Sequence, residues 1–226
     1  RAARCLVRPS RRAMAVAGAA SGSCARRAPW LPPAELPRFD APYAWSTDPR
    51  GAGGECSAWW AAAHERRSGA CWDRFYRRHG ASFFKDRHWM GREWPAELGG
   101  ARVVLEVGCG VGNAAFPLAE EAPGGRTVWC CDFSETAVGE VRRRAAAGGG
   151  APGEVRPFVR DVATCPVCPD PVPPSSVHAV TFVFALSAMS PEGAARAVAH
   201  CAAALSPGGL ALVRDYAAGD LAAERL

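Results

Sequence analysis

The chain has 226 residues, enough for one α/β domain and an extension, and carries a net charge of +5. No apolar run reaches the ~18 residues of a membrane-spanning helix, so no membrane partner is expected. Residues 1–34 hold seven arginines and no acid, and the remainder has 20 basic against 22 acidic residues; this excludes a generally basic nucleic-acid-coating domain and requires any RNA contact to come from a local patch.

Taken in order, residues 1–34 are rich in Arg, Ala and Ser and resemble a mitochondrial or plastid transit peptide. A disordered leader on a cytoplasmic protein is the competing reading, since a drift toward Arg explains the same composition: Lys85 is the single lysine of the chain. Residues 35–56, punctuated by Pro and Gly, read as a linker.

Residues 57–79 predict a helix, with Trp72, Phe75, Tyr76 and His79 recurring at spacings of three and four. Between Arg66 and Arg92 stand eight basic residues, two acids (Asp73 and Asp86) and six aromatic rings. Charge to hold phosphates and rings to stack bases suit single-stranded or looped RNA. An amphipathic helix that packs its rings on a sheet and solvates its arginines has the same composition, and both readings stand at this point.

Val103 to Val107 is an apolar run suited to a buried parallel strand. Gly108, Gly110 and Gly112 follow at spacing two, and a helix is predicted from Asn113 to Glu120. Strand, glycine loop and helix bring backbone N–H groups close to a nucleotide, although a glycine run also serves as a plain tight turn. Two details separate this loop from a dinucleotide site. The last position there is Gly or Ala, and here it is Asn113. Glu106 precedes the first glycine by two; a carboxylate there repels a diphosphate and suits a cationic ligand head.

A second strand ends in Asp132, 24 residues after Gly108, near the offset at which a carboxylate takes a ribose diol. A helix N-cap is the bland alternative for that acid. Cys130 and Cys131 on this strand are expected to face opposite sides. A third strand, 158–162, contains Asp161, and residues 164–176 form a Pro-rich loop. Cys165 and Cys168 make one C-x-x-C without the second ligand pair that zinc needs, so no metal is expected and the ten cysteines read as free thiols. A fourth strand runs from Val177 to Ser187. Ser190-Pro191-Glu192 starts a helix to about Leu205, S-P-G-G (206–209) turns, and Leu210 to Arg214 is a fifth strand.

E-x-G-x-G-x-G (106–112) resembles motif I of the class I S-adenosylmethionine (SAM) methyltransferases. Further blocks narrow the resemblance: W-D-R-F-Y (72–76), F-F-K-D-R-H-W (83–89), R-E-W-P-A-E-L (92–98), E-V-G-C-G-V-G-N (106–113), C-D-F-S (131–134), V-F-A-L-S-A (183–188), R-D-Y (214–216) and D-L-A (220–222). Together, over about residues 70–226, they resemble the tRNA 3-methylcytidine methyltransferases, the methyltransferase-like 2/6/8 family. The chain departs from the family pattern at Val162 (Leu), His178 (Asp) and Ala217 (Gly).

The resemblance implies an α/β, Rossmann-like SAM methyltransferase sheet with helices on both faces. It implies an N-terminal helical RNA and SAM lid at 57–100 and a SAM-binding domain at 101–226. The family's C-terminal strands are expected to be missing, which would leave the fifth strand as an open edge. SAM is the implied cofactor and tRNA the implied partner. An aminoacyl-tRNA synthetase or other recognition subunit is the second candidate partner that the resemblance implies.

By resemblance Trp72 and Tyr76 cover SAM. Glu106, Gly108, Gly110, Asp132, Phe133, Asp161, Val162 and Val183 bind it, and Lys85, Arg87 and His88 contact RNA. Arg214, Asp215 and Tyr216 are the candidate catalytic group that orients the cytosine, although Arg214 and Asp215 also read as a structural ion pair. Two other functions remain open on the sequence: a SAM enzyme acting on a small molecule or protein, and a non-catalytic SAM- or RNA-binding remnant.

Overall fold

A computed structural model describes residues 3–7, 58–148 and 153–216. In chain order the elements are β1 (Ala3–Val7), α1 (Ala58–His79), α2 (Met90–Glu93), α3 (Pro95–Gly99), β2 (Val103–Val107), α4 (Ala115–Glu120), β3 (Thr127–Asp132), α5 (Glu135–Ala147), β4 (Glu154–Val159), β5 (Val177–Val183), α6 (Pro191–Ala202) and β6 (Leu205–Asp215). The sheet order is β1-β6-β5-β2-β3-β4. Strands β2 to β6 are parallel, and β1 lies antiparallel against β6.

The chain leaves β2 toward β3 and β4 on one side, then crosses back to β5 and β6 on the other. The crevice above the carboxyl end of β2 is therefore the topological switch point of the sheet, where open α/β folds bind ligands. β2 is apolar on both faces because helices cover both. Val104 packs into one core with Met90, Trp94, Leu98, Leu118 and Val128, while Leu105 and Val107 pack into the other with Phe158, Val180, Phe182 and Leu205. Cys130 and Cys131 fall into the first and second core respectively, on opposite faces as their adjacency in a strand requires.

Local signals set the helix starts. Ser134 caps α5 by accepting from Ala137 N, and Ser190 caps α6 by accepting from Gly193 N, with Pro191 in the first turn. Buried Arg126 donates to the carbonyls of Leu98, Ala101 and Leu118, which fastens the end of α3 and the body of α4 to the sheet.

Several expectations are corrected. The 1–34 leader contains a strand: Ala3 pairs opposite Asp215 and Val7 opposite Ala211. This also closes the expected open edge, because the outer side of β6 offers a row of unpaired N–H and C=O groups that an added strand satisfies. S-P-G-G is not a turn before the last strand. β6 starts at Leu205, pairs it with Val177, and absorbs the extra length in a bulge between Val177 and Ala179, with Gly208 at φ +83°. β4 ends at Val159 and β5 at Val183, so Asp161 lies in the turn beyond its strand and Leu186–Ala188 form a 3-10 turn. Cys165 is disulfide-bonded, whereas Cys71, Cys109, Cys130, Cys131, Cys168 and Cys201 are free thiols; the C-x-x-C pair is thus not joined to itself.

The rest of the leader, the linker 35–56 and the D-L-A match lie outside the described residues. Among the described residues no helix is long and apolar enough to cross a membrane, and no cluster of His, Cys, Asp and Glu could hold a metal ion.

Candidate active site

β2 delivers Glu106 to the switch point, at 2% exposure inside an otherwise apolar strand. One carboxylate oxygen is held by the Ala115 N–H, and Oε2 has no hydrogen-bond partner. Burial is the largest influence on this group, opposed by the Arg87 guanidinium, and its pKa rises to about 8. A buried carboxylate with an idle oxygen costs stability unless a cation meets it.

The loop that follows needs glycine. Gly108 and Gly110 have φ of +70° and +53°. A Cβ on Gly108 would stand 2.8 Å from the Ala185 methyl, and one on Gly110 would stand 2.7 Å from the Tyr76 hydroxyl. The loop is held down by Gly108 N and Cys109 N donating to Cys131 O, at 2.8 and 3.0 Å.

β3 ends in buried Asp132. Its Oδ2 accepts from Gly110 N and its Oδ1 from Ser134 N, both at 2.9 Å. Burial raises its pKa to about 6 against the pull of those N–H bonds. Each oxygen keeps a second acceptor site, so the residue both shapes the glycine loop and remains available to a ligand. Phe133 is half-buried beside it. Asp161 Oδ1 accepts from Ala163 N at 3.1 Å, which leaves Val162 buried, and Val183 is buried at the end of β5. Strand register puts these groups side by side: Val107 lies opposite Cys131 and Phe182, and Asp132 lies opposite Val159.

α1 covers this crevice. Tyr76 is buried against Val111 and Ala137, and Trp72 stacks on it with ring centres 5.7 Å apart. Burial and nearby Asp132 push the Tyr76 hydroxyl well above its usual pKa, so it remains a neutral donor. Asp73, which the sequence reading left without a role, locks the helix in place. It accepts from Ser134 Oγ at 2.5 Å and Thr136 N at 3.3 Å, at the start of α5.

The strap 83–89 places the three expected RNA residues differently. Lys85 is exposed. Arg87 turns inward, donating to Val183 O at 3.1 Å with its guanidinium 5.3 Å from the Phe184 ring centre. His88 Nδ1 lies 2.6 Å from Glu121 Oε1.

At the end of β6, Arg214 pairs with Glu93 at 2.8 Å and lies over the Trp89 ring. The acid partner of Arg214 is thus Glu93, in place of the Arg214–Asp215 pair weighed from sequence. Asp215 accepts from Ser187 N at 3.0 Å and Tyr216 N at 2.9 Å. Tyr216 is 55% exposed with its ring 5.2 Å from Phe184. Phe184 itself has φ +54°, a conformation that L side chains rarely adopt, and its N–H donates to Arg214 O. Such strain gathers at functional sites. The sequence points to Val183 and not to Phe184, because a dihedral has no signature in a residue name.

Comparison with known proteins agrees with this geometry. Residues 104–209 match a family described as "Methyltransferase domain". The tRNA N(3)-methylcytidine methyltransferase trm141 of Schizosaccharomyces pombe is 35% identical over 173 residues, covering 75% of this chain and 68% of that protein. This chain belongs to the tRNA N3-methylcytidine methyltransferase family. Two further members are the mouse tRNA N(3)-cytidine methyltransferase METTL6, 39% identical over 163 residues, and the Xenopus tropicalis METTL2, 31% identical over 198 residues. The chain covers 56% and 58% of their lengths.

Among solved structures, phosphoethanolamine N-methyltransferase 1 of Haemonchus contortus, in complex with phosphoethanolamine and S-adenosylhomocysteine, has a TM-score of 0.50 at 17% identity. It covers 69% of this chain and 33% of its own, a likeness of fold alone. The N3-methylcytidine methyltransferase site fits SAM on its own chemistry. The idle Glu106 oxygen suits a cationic head, and the glycine loop lets Ala185 and the Tyr76 hydroxyl approach its backbone where a Cβ would not fit.

Proposed function

We propose that this chain binds SAM at the switch point and transfers its methyl group to N3 of a cytidine in a tRNA anticodon loop. The observation that carries the reading is the buried Glu106 carboxylate with one idle oxygen, under a lid that continues into a strap with Lys85 exposed. The names of the relatives supply the acceptor.

In this reading Glu106 meets the cationic end of SAM, Gly108 and Gly110 admit the methionine part, and Asp132 takes the ribose diol. Phe133, Asp161 and Val162 hold the adenine, Val183 lines the pocket, and Trp72 with Tyr76 closes over it. When bound, SAM supplies a methyl group on a sulfonium with a neutral thioether as leaving group. The N3 lone pair of neutral cytosine is free once the base is unpaired, so the chain needs no general base. One N–C bond forms, one S–C bond breaks, and the positive charge passes to the base.

The chain's own task is to unstack the base and align N3. Such orientation supplies roughly 7–11 kcal/mol of a barrier, and a loop nucleotide is cheaper to flip than a paired one. Asp215, at the carboxyl end of β6, has acceptor sites left for the N4 amino group and lies beside the base as it becomes cationic. Arg214 and Tyr216 complete that wall. Lys85 faces the RNA, while Arg87 serves the cofactor side. A recognition subunit such as a synthetase would add tRNA affinity on top of this local patch.

The test is to incubate the protein with SAM and total tRNA, digest to nucleosides and measure methylated products by mass spectrometry. 3-Methylcytidine is expected as the product. Methyl groups on another nucleoside, or none on RNA, overturn the reading.

A further inference from the structure

Asn113 is the one residue of the glycine loop that departs from a dinucleotide site, and cofactor binding does not account for it. It is 6% exposed and its amide reaches into the strap. Its Nδ2 donates to Phe84 O and to Asp86 Oδ1, each at 3.0 Å. Its own main-chain carbonyl accepts from Arg87 N at 2.7 Å. Asp86 in turn receives Arg144 Nη2 from α5 at 2.9 Å, and Arg144 Nη1 reaches back to Val111 O in the same loop at 3.3 Å.

Strap residues 84, 86 and 87 are therefore clasped by a single residue of the cofactor loop. The segment around them is neither helix nor strand and has no ladder of its own to fix it. Gly or Ala at position 113 could make the main-chain contact and neither side-chain bond. Losing the first bond deprives the Phe84 carbonyl of this donor, while Asp86 Oδ1 keeps Arg144 Nη1 at 3.3 Å.

We propose that Asn113 is a positioning residue that couples the cofactor loop to the RNA-facing strap, so that SAM and tRNA each tighten the binding of the other. A ligand that fixes the loop also fixes the carbonyl and amide from which the strap hangs. The ordering cost is then met once and shared by both ligands. By linkage the effect is reciprocal. This inference rests on the tRNA reading above.

The test uses the full chain and S-adenosylhomocysteine, which cannot react. tRNA affinity is measured by fluorescence anisotropy with and without saturating S-adenosylhomocysteine, and S-adenosylhomocysteine affinity by calorimetry with and without tRNA. The wild-type protein is expected to show about fivefold or greater tightening in both directions. Asn113→Asp keeps the shape and the main-chain bond but turns a donor into a carboxylate facing Asp86. It is expected to bind S-adenosylhomocysteine alone within about threefold of wild type and to lose the tightening.

Adding Asp86→Asn restores an amide–carboxylate bond in the reverse direction, and part of the tightening is expected to return. Wild-type protein that binds both ligands without tightening overturns the inference alone. So does an Asn113→Asp variant that keeps the tightening, or a loss that the double variant leaves unchanged. Wild-type protein that binds no tRNA overturns this inference and the tRNA reading together.

Discussion

Glu106 shows how a single residue carries both a cost and a use. Its folded pKa of about 8 stands above the ordinary 4.5, so the empty folded protein favours the protonated form. A group shifted in this direction contributes stability that is full below about pH 4.5 and is lost as pH rises to about 8. Between pH 6 and 8 that loss is on the order of 2 kcal/mol at this buried site. A cationic ligand needs the ionised form, so under the proposed function SAM affinity is expected to rise over that range, with a proton released on binding.

Glu106→Gln is expected to flatten the fall in thermal stability from pH 6 to 8 and to weaken SAM at least tenfold at pH 8 (about 1.4 kcal/mol). Melting curves and calorimetry in two buffers of different ionisation enthalpy check both effects. A Glu106→Gln variant with the wild-type pH profile would contradict the assignment. Glu106 is legible in the sequence because a carboxylate in an apolar run stands out. Phe184 and Asp73 are not, since a left-handed φ and a bond to Ser134 arise only when distant segments meet.

Among the elements, α1 is the one whose position decides whether the crevice is covered. Its rings touch Val111 of the loop and Ala137 of α5, and Asp73 ties it to the first turn of α5 through Ser134 Oγ and Thr136 N. Ser134 therefore caps α5 with the same hydroxyl that donates to the lid. Asp73→Ala removes the tether and leaves the rings in place. It is expected to speed amide hydrogen exchange along α1, with β2 to β5 unchanged, and to weaken SAM about tenfold or more, since a hydrogen bond to a charged group is worth about 1.5–3 kcal/mol. Unchanged exchange in α1 would show that the rings alone hold it.

The helix itself is legible from the spacing of Trp72, Phe75, Tyr76 and His79, and the starts of α5 and α6 from their serine caps. Less legible are β1 and the beginning of β6. β1 pairs with residues about two hundred positions away, and β6 depends on a bulge in which it advances five residues, from Leu205 to Leu210, while β5 advances two. Neither is a local pattern.

At the scale of the whole molecule, the parallel order and the switch point follow from alternating strands and helices, and they put Glu106, Asp132, Asp161 and Val183 near or just beyond the carboxyl ends of their strands. The strap then lies beside the same crevice, clasped by Asn113 and reaching Val183 through Arg87. The glycine loop, the α1 lid and the strap are thus one connected structure in this member of the N3-methylcytidine methyltransferase family.

The most direct measurement of that account is a calorimetric titration of SAM into the chain beside an Asp132→Ala control. Micromolar binding, weakened at least tenfold in the control (about 1.4 kcal/mol or more), is the predicted result. A folded protein that binds no SAM, or an Asp132→Ala variant that binds it as well as the wild type, would contradict it.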